Sequence, residues 1–233
     1  MTEARHDQTV PRVHPRISAN KLGEYLVSPP LRRRDIIERQ KYPCSFIGAY
    51  YEPARSIIVD FLHGRTDREG MLRRTEALVA AEHGSRYAHH QAHGCAEAIL
   101  RFLDLEPELD LRGMTPVHVD RHDKLEVHGV RVSIHPDVVL AGRDRRGRPL
   151  VGAIKLHFPK AHPHTEASAH YVATLLRVHA RERMSDRGTV CEDACLVIDV
   201  FAHRIVGAPR GYRRRWRDIG AACEEIRQAW PDA

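Results

Sequence analysis

Between Phe46 and Leu62, apolar side chains recur at three-and-four spacing through Ile47, Tyr50, Tyr51, Ala54, Ile57, Ile58 and Phe61. That spacing predicts a helix with one buried stripe, ended by Gly64. Shorter amphipathic helices are expected over residues 20–27 and 31–41. Ser18 caps the first, and Ser28-Pro29-Pro30 separates the two. Two more helices are expected over 68–82 and 89–103, with Leu72, Leu78, Val79, Ile99, Leu100 and Leu103 in the core.

Past residue 115 the period shortens to two. Three strands are expected: 116–120 running on, after a break, into 124–128, then 130–140, then 150–158. Gly129 and the stretch from Gly142 to Gly147 supply the turns. An amphipathic helix over 164–184, an apolar strand over 194–201, a short strand over 204–207 and a last helix over 211–230 follow. A helix crossing between the meander's third strand and the later buried strand implies a mixed sheet with helices against it, an α/β fold. Residues 1–87 then form an N-terminal helical region packed on the core, and 88–233 the core with its C-terminal helix.

Composition narrows the picture. A chain of 233 residues suits one sizeable core. No run approaches the ~18 apolar residues of a spanning helix, and the polar amino terminus lacks the apolar stretch of a secretory signal. The expectation is a cytoplasmic protein without membrane attachment. Cys44, Cys95, Cys191, Cys195 and Cys223 are scattered without a CxxC pair, which argues for buried free thiols over a disulfide framework or zinc ribbon.

Lys plus Arg exceed Asp plus Glu by 37 to 31, a net charge of +6 that favours an anionic partner, nucleic acid first. A protein partner or a homo-oligomer is the remaining possibility. Arginines cluster at Arg32 to Arg34, in the predicted hairpin at Arg143, Arg145, Arg146 and Arg148, and at Arg213 to Arg215. Arg143, Arg145, Arg146, Lys160, Arg213, Arg214 and Arg215 are the candidate phosphate contacts, against the reading of a merely solvated surface. Only five residues are lysine, one of them Lys155. An ammonium holds a water or a phosphate oxygen in a way a guanidinium fork does not.

The chemistry concentrates between Val130 and Lys160, where Pro136-Asp137 on one strand is followed by Lys155 on the next. A strand's period of two puts Ala153, Lys155 and His157 on one face and Ile154, Leu156 and Phe158 on the other. With the order helix, three-strand meander, helix, strand, this resembles the PD-(D/E)xK nuclease superfamily over residues 88–201. Its RecB-like and phage-exonuclease branch is the nearest in pattern.

The resemblance implies a restriction-endonuclease-like αβββαβ core and Mg2+- or Mn2+-dependent hydrolysis of phosphodiester bonds, in DNA before RNA. It implies Asp137 as a metal ligand and Lys155 as the group that positions the attacking water. The slot two residues before Lys155, which carries the second carboxylate in that superfamily, holds Ala153. His89, His93 and Glu97 recur every fourth residue on the preceding helix, where this branch uses a histidine or glutamate. Glu97 is the first candidate to replace the missing acid, with His93 beside it as a ligand. Glu126 and Glu166 are the others, and a surface pair with Arg101 is the competing reading of Glu97.

In the later helix, where the branch pairs a glutamine with a tyrosine four residues on, the chain has Ala167 and Tyr171. The runner-up is a catalytically degenerate nuclease-fold protein serving as a nucleic-acid-binding or accessory subunit. Neither HHQAH with Cys95 nor His157, His162 and His164 has the closed spacing of a zinc site. Asp199, inside the apolar run IDVFA, requires a partner, for which a nearby arginine is expected. No phosphate loop, dinucleotide fingerprint or serine-nucleophile elbow is present.

Overall fold

Four of the described helices begin where a side chain accepts a free amide. Ser18, Asp67, Ser85 and Thr165 accept from the N–H of Lys21, Gly70, Ala88 and Ser168, three residues on in each case. The computed structural model describes residues 10–43, 50–119 and 124–231. The chain enters through β1 (Arg16–Ser18) and runs through five helices, α1 (Ala19–Val27), α2 (Pro30–Lys41), α3 (Glu52–Leu62), α4 (Arg68–Ala80) and α5 (Arg86–Leu105). Strands β2 (Thr115–Val117), β3 (Leu125–Val127), β4 (Val130–Ser133), β5 (Val138–Arg143) and β6 (Pro149–His157) follow. The chain closes with α6 (Glu166–Arg183), β7 (Thr189–Asp199), β8 (Arg204–Gly207) and α7 (Tyr212–Ala229).

The main sheet has the order β2-β5-β6-β7-β8, and β6 with β7 is its parallel pair. Strand alternation sorts its side chains into two cores. Val138, Leu140, Ile154, Leu156, Leu196 and Ile198 point toward α3, α4 and α5. Val139, Val151, Ala153, Cys195 and Val197 point toward α1, α6 and α7. The fold is therefore α/β, a mixed sheet between two helical layers, as the element order predicts. Gly152 sits at the irregular register between β6 and β7, where an added Cβ would lie 2.7 Å from both the Cβ and the carbonyl oxygen of Ala194. Only glycine allows that approach.

A second sheet, β1-β4-β3, joins distant parts of the chain. Arg16, Ile17 and Ser18 pair in parallel with Arg131, Val132 and Ser133. The end of the chain fastens the same region: Trp230 Nε1 donates to the Arg12 carbonyl at 3.0 Å, and Tyr25 Oη donates to Glu225 at 3.1 Å.

Several boundaries differ from the sequence-based expectation. The strand expected over 130–140 is two strands in different sheets, because Ile134 to Asp137 carry no ladder. Pro136 has no amide to donate and biases the residue before it, so pairing stops and restarts there. The strand expected over 116–120 and, after a break, 124–128 likewise divides between the two sheets, as β2 and β3, with residues 120–123 outside the described residues. Leu72 and Leu100 are exposed, each one helical step off the buried stripe of its helix. Phe46 and Ile47 of the expected 46–62 helix lie outside the described residues, and α3 begins at Glu52 with Pro53 in its first turn.

Candidate functional site

Asp137 and Lys155 meet at one end of the β5–β6 hairpin. The last ladder pair is Val138 with Ile154, and the Asp137 N–H donates to the Ile154 carbonyl at 2.8 Å. One step further on, Asp137 faces Lys155. Asp137 Oδ2 accepts from Lys155 Nζ at 2.9 Å and from the Leu156 N–H at 2.7 Å. Lys155 Nζ also donates to the His135 carbonyl at 2.7 Å, so the break before Asp137 helps hold the ammonium.

The other carboxylate oxygen, Oδ1, accepts from the guanidinium of Arg55 on α3. Arg55 lies 5.2 Å above the Phe158 ring and 3.4 Å from Glu52. The Asp137 side chain is only 5% exposed and that of Lys155 12%, while Arg55 at 28% forms the solvent side of the triad. Nothing in sequence spacing links residues 55 and 137. The available signal was an arginine beside the buried stripe of α3, next to Ala54.

This donor set does not fit a Mg2+ or Mn2+ centre. Such ions take hard oxygen ligands, whereas both Asp137 oxygens are turned toward N–H donors. Among the described residues, no three or more His, Cys, Asp or Glu side chains are placed to hold a metal. Ala153 is fully buried between its register partners Val139 and Cys195, so the slot for a second acid is closed by core packing.

The other candidate ligands are dispersed. Glu97 accepts from Lys160 Nζ at 2.8 and 2.9 Å and from Arg101 Nε at 3.2 Å. Those bonds, Lys160 first, hold its carboxyl below the ordinary value. The Arg101 pair is thus present, with Lys160 added. His93 is exposed on α5, its ring 4.5 Å from that of His89. Glu126 faces Arg131 in the small sheet, and Glu166 is exposed in the first turn of α6. Tyr171 donates to Asp218 at 3.0 Å, and burial followed by that acid raises its pKa.

Asp199 is satisfied by backbone in place of the expected arginine. It accepts from the N–H of His164 at 2.5 Å and of Ala202 at 2.9 Å, while Arg204, its register partner, donates to the His164 carbonyl. His157 and His164 stack beside it with ring centroids 3.7 Å apart, both buried. Burial lowers both pKa values, that of His164 to about 3. Cys95, Cys195 and Cys223 are buried free thiols, Cys191 is half-buried and free, and Cys44 lies outside the described residues.

The basic candidates divide between two ends of the molecule. Arg143, Arg145 and Arg146 are exposed on the β5–β6 turn, which Asp144 braces through the N–H groups of Arg146 and Arg148. Six strand residues separate that turn from Asp137, roughly 20 Å at ~3.3 Å per residue. Lys160 lies at the Asp137 end. Arg214 and Arg215 line a shallow cavity with Tyr171 and Asp218 beside the start of α6, and Arg213 is exposed next to them. Arg32 and Arg33 are engaged with Glu24 and Glu225.

Among the described residues, no helix is long and apolar enough to cross a membrane. No protein-family model matches the chain, and no curated protein is significantly similar to it.

Proposed function

We propose that the chain is a nucleic-acid-binding protein built on a nuclease-like sheet, DNA being the expected partner, in which the Asp137–Lys155 pair holds the structure together instead of cutting phosphodiester bonds. The observation that carries this reading is the third member of the pair. The Arg55 guanidinium stands against the one oxygen of Asp137 that Lys155 and Leu156 leave free. The order α5, β2, β5, β6, α6, β7, with β6 and β7 parallel, supports the αβββαβ comparison, the β3–β4 hairpin being an insertion into it. The net charge of +6 and the exposed arginine turn supply the electrostatic attraction.

The test measures DNA retention at graded salt together with strand cleavage in Mg2+ and Mn2+. Salt-dependent binding without hydrolysis, and no gain in thermal stability on adding either ion, is the expected result. Metal-dependent cleavage that disappears in Asp137→Ala and Lys155→Ala would overturn it in favour of the nuclease.

A further inference from the structure

Aromatic residues are scarce in this chain, yet five of its seven tyrosines and five phenylalanines form one connected file beside Asp137 and Lys155. Tyr87, 51% exposed in the first turn of α5, meets Tyr50 edge-on at 5.9 Å. Tyr50 meets Tyr51 at 4.8 Å. Tyr51 lies nearly parallel to Phe158 at 5.5 Å and tilted against Phe201 at 5.6 Å. Tyr50, Tyr51 and Phe201 are half-buried residues, whereas Phe158 is buried.

Cations line this file. Arg101 and Lys160 each sit 5.6 Å from the Phe201 ring centre, and Arg55 covers Phe158. Glu97 holds both Arg101 and Lys160, which fixes their positions and spends part of their charge. A core does not require such an arrangement. Part-exposed aromatic residues flanked by oriented cations match a surface on which bases stack while phosphates pass alongside.

We propose that the file from Tyr87 through Tyr50 and Tyr51 to Phe201 is a track for single-stranded DNA, a site that rests on the nucleic-acid reading above. A duplex hides its base faces within its own stack, so only unpaired bases have a face to offer these rings. Because Glu97 already competes for the flanking cations, stacking carries more of the affinity here than charge does. The exposed arginine turn at the far end of the hairpin is a separate contact for backbone phosphates.

The experiment is fluorescence anisotropy of the full chain with a labelled thymidine homopolymer of about 20 nucleotides, longer than the ~4–16 nucleotide sites of single-strand binders, and with a duplex of equal length. Tyr51→Leu and Phe201→Leu keep apolar volume, and Tyr87→Ala changes an exposed ring whose loss leaves folding intact. Circular dichroism confirms the fold of each. Removal of a ring is expected to weaken homopolymer binding by about tenfold, with duplex binding unchanged. Homopolymer binding equal to wild type in all three variants overturns the track and leaves the nucleic-acid reading standing. Failure of the wild-type chain to bind either probe removes both.

Discussion

Asp137 accepts three hydrogen bonds from three different directions, and the one from Lys155 crosses the hairpin at 2.9 Å between side chains that are almost fully buried. A carboxylate so enclosed acts as a fastener. It ties α3 to the start of β5 and the end of β6.

Removal of that fastener therefore lowers stability. Asp137→Asn leaves Lys155 without its counter-charge and Arg55 with only Glu52, 3.4 Å away. Breaking a buried pair costs ~3–5 kcal/mol, and the solvent exposure of Arg55 reduces the expectation to about 2 kcal/mol. Urea unfolding reads the change, and an unaltered midpoint would show that the triad contributes nothing to the fold.

Restoring the missing acid fails for the same reason. Ala153→Glu drives a carboxylate into the layer formed by Val139, Cys195 and α6. The expected loss is about 3 kcal/mol or more, from overpacking combined with an unpaired buried charge, with no gain of Mg2+-dependent cleavage. A stable, newly active variant would mean that the slot opens onto the site.

Acid sensitivity should trace to His157 and His164. Their folded pKa values lie below the unfolded value near 6.5, His164 at about 3. Unfolded chains bind the protons first, so stability is level above about pH 7. It declines as pH falls from ~6.5 toward His164's folded value of about 3, by up to ~1.4 kcal/mol per pH unit for that histidine, and His157 acts in the same direction. Comparing wild type with His164→Asn across this window isolates the effect. Identical slopes would remove His164 as its source.

If the proposed nucleic-acid reading holds, duplex binding is expected to depend on the β5–β6 turn. Arg145 and Arg146 are exposed, and no side-chain hydrogen bond engages either guanidinium among the described residues. Changing both to alanine should lower the slope of log affinity against log salt by about 1.8, ~0.9 for each phosphate no longer neutralised, with folding stability unchanged. A slope equal to wild type places the phosphate-binding surface elsewhere.

The alternation along β6 was readable in the sequence because it is local. Ala153 with Lys155 and Ile154 with Leu156 needed only a period of two. The Ser18 cap and the parallel β6–β7 crossover were equally legible. Pairing between distant segments was not. Pro136 was present to mark the break, yet its value as half of a motif concealed its effect on the ladder. Arg55 reaches Asp137 across 82 residues, and Asp199 is satisfied by amides whose placement depends on the turn before α6. The missed partners are those that only the closed fold supplies.

The parallel pairing of Arg16–Ser18 with Arg131–Ser133 sets an order of events for a chain emerging from the ribosome. β1 leaves the exit tunnel with nothing to pair against until more than a hundred further residues have followed it, and the Trp230 latch onto Arg12 closes across a separation of 218 residues. Closure over such sequence separations is slow. Nascent chains of this protein consequently carry an unmatched β-edge until β4 has emerged, the period in which a holdase chaperone has the most to protect.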